Sequence, residues 1–159
     1  DRVSRGLGDV YKRQLFGGEL LARMDRAASI AAQKHSEKVV VTASVNHVAF
    51  NHTIPLGSIV TIEAKVSRAF NTSMEVYLDV WYTDNNFNTP LKANEAIFTF
   101  VAVDQNRNPI QVPKLIPETE EEIKRFDGAL RRRQLSLVLA GKMKANQATE
   151  LKALFVNKL

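Results

Sequence analysis

The sequence has no cysteine, which excludes a disulfide framework, a thiolate nucleophile and a cysteine zinc site. Its three histidines stand apart at positions 35, 47 and 52 and are poor material for a metal centre. No apolar run approaches the roughly 18 to 20 residues that a membrane span requires. Nor does a positively charged start lead into an uninterrupted hydrophobic segment. The expectation is a soluble, cytoplasmic protein with no membrane partner. Internal repeats and low-complexity tracts are also missing. What is there is ordinary: 159 residues, 45% apolar and 25% charged, the size and composition of one globular core.

The net charge of +5 and a basic isoelectric point near 9.6 invite a nucleic-acid reading until the charge is located. Residues 1 to 14 carry a net +2, residues 15 to 117 are neutral, and residues 118 to 159 carry +3. A basic excess confined to the two ends is not the groove that tracks phosphates, and no interleaved aromatics form a stacking platform beside it. No nucleic-acid partner is expected.

Residues 1 to 14 (DRVSRGLGDVYKRQ) are polar and aperiodic and closely resemble a translated adapter or vector sequence. They are read as non-native, so Gly6 and Gly8 are not a phosphate loop. From Gly17 to His35, Leu20, Leu21, Met24, Ala27, Ala28, Ala31 and Ala32 recur at helical spacing and predict one long, mostly buried helix. Four segments rich in β-branched and aromatic residues follow, Val39 to Phe50, Ile59 to Ala69, Ser73 to Tyr82 and Ala93 to Asp104, and read as strands. The breaks at Pro55-Leu56-Gly57, Asn71-Thr72 and Thr83 to Pro90 read as reversals between neighbouring antiparallel strands. Val60, Ile62, Ala64 and Val66 alternate with Thr61, Glu63, Lys65 and Ser67, so one face of that strand is expected buried and the other wet. Beyond Pro117, Thr119 to Glu122 predicts a capped helix start. An apolar stripe of Ile123, Phe126, Leu130, Leu137 and Val138 follows, with a stop at Gly141 and a second short helix over Asn146 to Phe155. Arg131 to Arg133 read as the solvated face of the first tail helix, or as an anion contact. One buried helix followed by four strands is an α+β arrangement, a helix wrapped by an antiparallel sheet, with a helical extension over residues 118 to 159.

Phe16-Gly17-Gly18 places two residues without Cβ where the chain enters the helix. Backbone N–H groups with no intrahelical partner are there open to close approach. Such donors, with the positive end of the helix dipole, can hold a developing oxyanion; the same pair can also serve packing alone. Asp25 adds to this. Positions 18, 21, 25, 28 and 32 share a helix face at i+3 and i+4 steps, so its carboxylate projects from a face otherwise made of Gly18, Leu21, Ala28 and Ala32. Burying an unpaired charge is costly. Either Asp25 pairs with Arg23, Arg26 or a capping donor, or it is a general base.

The runs LFGGELLARMDRAASIAAQKH, VVTASVNHVAF, PLGSIVTIEAKV, NTSMEVYLDVW and FTFVAVD resemble, in this order, the hotdog-fold acyl-CoA thioesterases, in particular the cytosolic acyl-CoA hydrolase group. The resemblance covers residues 15 to 117. It implies a homodimer, often assembled into a hexamer as a trimer of dimers, with two helices cradled by one continuous sheet and active sites at the subunit interface. It places the catalytic carboxylate on Asp25 and the helix-start amide that faces the thioester carbonyl on Gly18, beside Gly17. Its Thr-Ser pair falls on Thr72 and Ser73, which would approach from the other subunit or serve as simple turn hydroxyls. The family's Gly-Arg before that pair is Phe70-Asn71 here, so any coenzyme A contact made by that Arg is lost or moved to Arg68, with Asn71 itself kept as a substrate-binding candidate. A position that is polar in some members is Gln14.

The implied chemistry is hydrolysis of an acyl-CoA thioester, with Asp25 as general base on water, or attacking directly to give a mixed anhydride. Gly18 and the helix dipole stabilise the oxyanion, without a metal or separate cofactor, since coenzyme A is part of the substrate. Coenzyme A phosphates need cations, for which Arg68, Lys65, Lys114 and Arg131 to Arg133 are candidates. His35 suits a helix end, while His47 and His52 flank Phe50, and none matches the His and acid arrangement of hotdog dehydratases. A non-catalytic hotdog module that binds acyl-CoA or serves in assembly is the competing expectation.

Overall fold

In the computed structural model, residues 17–84, 86 and 89–156 are described. Gln14, Phe16 and the segment read as non-native lie outside them. The chain divides into two compact units, one ending at Pro113 and one beginning at Lys114.

In the first unit, helix α1 (Gly17–Ser36) is followed by strands β1 (Val39–Phe50), β2 (Ile59–Ala69), β3 (Ser73–Thr83) and β4 (Leu91–Val103). These match the elements expected from the periodicity. The strand order does not match. All neighbours are antiparallel, but the order is β1-β4-β3-β2, with β1 and β2 at opposite edges. The reversals at Asn71-Thr72 and Thr83 to Pro90 do join neighbours, whereas Pro55-Leu56-Gly57 lies in a crossover between the edges. Local punctuation carries no record of that, because three strand spacings amount to only about 14 Å, within easy reach of the intervening residues.

Helix α1 packs against all four strands. Its buried line is Leu20, Met24, Ala28, Ala32 and Ser36, a strict i+4 row in which the alanines let the helix lie close to the sheet. Facing it are Met74, Val76, Leu78 and Val80 from β3, and Ala93, Ala96, Phe98, Phe100 and Ala102 from β4. Fully burying side chains such as Met24, Phe98 and Phe100 contributes roughly 1.5 to 3 kcal/mol each. Val60, Ile62, Ala64 and Val66 pack against this core, and Thr61, Glu63 and Lys65 are exposed, as alternation requires. Ser67 departs from it. A register shift between Val66 and Arg68 makes Ser67 a bulge, and its buried hydroxyl donates to the backbone carbonyl of Glu75 (3.1 Å) and to Glu75 Oε1 (2.6 Å). A bulge inserts one residue and breaks the period of two.

The second unit holds α2 (Glu120–Leu139), a short 3-10 turn (Ala145–Gln147) and α3 (Thr149–Val156). The capping box is formed: Thr119 Oγ1 accepts from Glu122 N at 3.1 Å, and Glu122 Oε2 accepts from Thr119 N at 3.3 Å. Gly141, with φ +72, ends the helix. The Gly141 N–H donates to the Val138 carbonyl and the Lys142 N–H to the Leu137 carbonyl, the paired closure that a left-handed residue permits. The expected apolar stripe is only partly right. Ile123 is exposed, and the buried α2 residues are Ala129 and Gln134. Gln134 Oε1 accepts from Leu151 N at 2.9 Å, satisfying a donor in the first turn of α3. Arg131 to Arg133 are half-buried rather than a fully solvated face. Among the described residues no helix is long and apolar enough to cross a membrane.

Candidate active site

Asp25 sits one residue beyond Met24 in the buried row, about 100° around the helix, so it lies at the border of that row and is half-buried. Its carboxylate meets a hydroxyl rather than an arginine. Thr42 Oγ1, on β1, donates to Asp25 Oδ1 at 2.9 Å. Arg23, one of the arginines that could have neutralised it, pairs along its own helix with Glu19 at 3.3 Å. Thr42 faces α1 because it lies opposite Phe100 in the ladder, and Phe100 belongs to the helix-facing core. The sequence reading missed Thr42. Seventeen residues separate it from Asp25, and only the pairing of β1 with β4 brings them together.

At the other end of the helix-facing surface, Gly17 is half-buried and Gly18 exposed, leaving the first-turn amides without intrahelical partners. A Cβ built on Gly17 would lie 3.5 to 3.9 Å from the Phe50 ring, so the last residue of β1 flanks the helix start. Gly18 and Asp25 are seven residues apart, about 10 Å along the axis on nearly the same face.

The β2–β3 turn is closed by Phe70 N donating to the Ser73 carbonyl at 2.7 Å. The Asn71 carbonyl accepts from Val112 N at 2.9 Å and the Thr72 carbonyl from Ala102 N at 3.0 Å. Ser73 is buried and pairs with Val101, itself paired with Val41. By strand alternation its side chain is on the face away from α1. It is two strands from β1, about 10 Å. Within one chain, therefore, Thr72 and Ser73 do not join Asp25. Arg68 stacks over the Phe70 ring at 5.8 Å. Lys114 is exposed and opens the second unit. Of the histidines, His35 Nε2 donates to the Pro113 carbonyl at 2.8 Å, while His47 and His52 are exposed.

A separate polar group lies on the face away from α1. Asp79 and Glu95 are directly opposed in the β3–β4 ladder, and Lys92 bridges them, 2.8 Å from Asp79 and also bonded to Glu95. Burial pulls the Lys92 pKa down, but hydrogen bonds to Asp79 and Glu95 and their charges outweigh it and raise it. The Lys92 hydrogen bond, against desolvation, holds Glu95 below the ordinary carboxylate range. Tyr77 Oη also donates to Glu95, at 3.1 Å.

A long helix laid on an antiparallel sheet in the order β1-β4-β3-β2, with a carboxylate and a free helix start on its sheet-bordering side, defines a hotdog-fold protein. The chain belongs to the thioesterase superfamily, whose family model matches residues 14–86. It is similar to the protein VdlD of Helicobacter pylori, 37% identical over 125 residues that cover 79% of this chain and 71% of that one. It resembles an apo-hexameric acyl-CoA thioesterase (32% identity, TM-score 0.80, covering 87% of this chain and 89% of that one). It also resembles a Staphylococcus aureus acyl-CoA hydrolase solved with butyryl coenzyme A, coenzyme A and coenzyme A disulfide (35% identity, TM-score 0.75, covering 90% and 86%).

Proposed function

We propose that the chain hydrolyses acyl-CoA thioesters to the free acid and coenzyme A, with Asp25 as general base. The observation that carries the assignment is the Thr42 hydrogen bond, which fixes one carboxylate oxygen at 2.9 Å and leaves the other to take a proton. Water attacks the thioester carbonyl as its proton passes to Asp25. The resulting oxyanion is held by the Gly18 amide and the helix dipole. Collapse breaks the carbon–sulfur bond, and the proton held by Asp25 passes to the departing sulfur, giving the free acid, the coenzyme A thiol and the regenerated carboxylate. The general base supplies about 10²- to 10⁴-fold and an oxyanion donor about 10²- to 10³-fold.

Self-association through β1 belongs to the same reading. The two sheet edges differ in kind. β2 carries Glu63, Lys65 and Arg68, the charges with which edges resist pairing, whereas β1 (VVVTASVNHVAF) has no acidic residue, lysine, arginine or proline. Val39, Val41, Val45 and Phe50 on it are exposed. A second copy added at this edge continues the sheet, and three such pairs make the hexamer found for similar proteins. Thr72, with Asn71 and Arg68, is assigned to the substrate bound at the partner's helix, whereas Ser73, buried with its side chain on the face away from α1, is left to the sheet.

Release of free thiol from acyl-CoAs of graded chain length, followed for wild type and Asp25→Ala, tests the function. Equal hydrolysis by both proteins would remove Asp25 as the base. Acyl-CoA binding without turnover by the wild type would make the chain a binding module.

A further inference from the structure

Phe50 reaches the helix start through an irregularity in β1. Val45 pairs with Phe98 and Asn46 with Ile97, after which the register jumps so that Ala49 meets Glu95 and Phe50 meets Asn94. Three steps along β1 thus match two along β4, a bulge of one residue. His47 sits in it at φ +53, a left-handed conformation uncommon for a residue with a Cβ. The consequence is a change of side. Val45 faces α1, so uninterrupted alternation would turn Phe50 to the opposite face; the extra residue instead points Val48 into the core and Phe50 against Gly17.

The turned strand end is also tethered. Asn94 is 1% exposed and lies opposite Val80 and Phe50, a buried amide among apolar side chains. Its Nδ2 donates to the carbonyl of Ala49 at 2.8 Å. That bond settles the amide orientation, since a carbonyl only accepts. Asn94 Oδ1, by contrast, has no hydrogen-bond partner among the described residues. A half-satisfied buried amide is an unfavourable way to fill a core position, and what it secures is the residue next to Phe50. Phe50 itself is 53% exposed, with its ring against Gly17 at the helix start rather than inside the core.

We infer that Phe50 is a specificity-determining residue of the site and that Asn94 is the positioning residue that holds it there. Together they set how long an acyl chain the space beside the helix start accepts. This rests on the hydrolase reading and deepens it. The ring lies against Gly17, one residue before the Gly18 amide that would hold the thioester carbonyl, so on this reading the first carbons of the acyl chain pass along it. Removing the ring lengthens the space. Loosening the strand end lets the ring withdraw, with the same result.

The test is kcat/KM for butyryl-CoA and dodecanoyl-CoA with wild type, Phe50→Ala, Asn94→Ala and the double variant, alongside thermal melting of each. Phe50→Ala should raise the long-to-short ratio about tenfold, the scale of one or more methylenes in an apolar pocket. Asn94→Ala should move the ratio in the same direction, and the double variant should go no further than Phe50→Ala alone. An unchanged ratio in Phe50→Ala, whose half-exposed position keeps the fold intact, overturns the assignment of Phe50. A lower melting temperature in Asn94→Ala with a wild-type ratio, or additive shifts, overturns that of Asn94. No thiol release by the wild type from either substrate overturns the hydrolase reading, and this inference with it.

Discussion

Replacing Thr42 by valine removes one hydroxyl and almost nothing else, because the two side chains share a branched shape. In the wild type that hydroxyl donates to Asp25 Oδ1 at 2.9 Å. Hydrogen bonds to charged groups are worth about 1.5 to 3 kcal/mol when well shielded. Thr42 is exposed in the single chain, so water competes for the carboxylate and a loss of about 1 to 2 kcal/mol is the better figure. On the transition state this is roughly 5- to 30-fold in kcat. KM should stay within about twofold, since on the proposed reading the bond orients the base and does not touch substrate. Thr42→Ser, which keeps the donor, should retain most of the activity. Asp25→Ala should lose about 10²- to 10⁴-fold, and adding Thr42→Val to it should cost nothing more, because the hydroxyl acts only through the carboxylate. Thiol release under steady-state conditions measures all four variants. The reasoning is refuted if Thr42→Val turns over at the wild-type rate while Asp25→Ala is inactive, or if the Thr42→Val effect falls wholly on KM.

Val45→Lys, placing a charge on the exposed uncharged edge of β1, should shift the sedimentation profile toward the single chain and reduce activity with it. Lys65→Val on the opposite edge should change neither. Thr119→Ala removes the side-chain half of the capping box and should cost about 1 kcal/mol, read as a lower denaturant midpoint for the second unit. The Glu95 pKa is lowered in the folded chain from its ordinary value of 4.5. Its contribution is therefore present above pH ~4.5 and lost as pH falls through the lower folded value. The Lys92 pKa is raised, so its contribution holds below the ordinary lysine pKa and is lost only as pH rises through the higher folded value. Melting temperature followed from neutral to acidic pH should fall less steeply for Glu95→Gln than for wild type.

The elements were legible because each rests on a local pattern: i+4 rows of leucine, methionine and alanine for α1, β-branched runs for the strands, and Thr119 with Glu122 for the start of α2. Strand order was not, since the link between Phe50 and Ile59 reads as a reversal and is a crossover. The site divides along the same line. Gly17, Gly18 and Asp25 belong to one helix and could be related by counting residues. Thr42, Phe50 and Asn94 enter through the β1–β4 pairing, and the bulge at His47 reverses the side that alternation would assign to Phe50. Ser67 went astray for the same reason. A bulge shifts every later side chain on its strand by one face, and nothing in the composition of β1 or β2 announces it.

The candidate site residues that share α1 also set a requirement that one chain meets poorly. Gly18 and Asp25 lie two turns apart, about 10 Å along α1, and Thr42 ties the Asp25 carboxylate to β1. A donor, an oxyanion, an attacking water and a base in mutual contact span roughly 7 Å, because each contact is about 3 Å and the attack is bent at carbon. On the proposed mechanism, then, the amide that holds the oxyanion and the carboxylate that takes the proton are drawn more readily from two copies than from one. The sheet offers one edge for bringing them together, the uncharged β1, and that strand also carries Thr42 and Phe50. On this reading the edge, the hydroxyl that holds the base and the specificity wall share a single strand, which is why a charge placed on it should disturb assembly and turnover together.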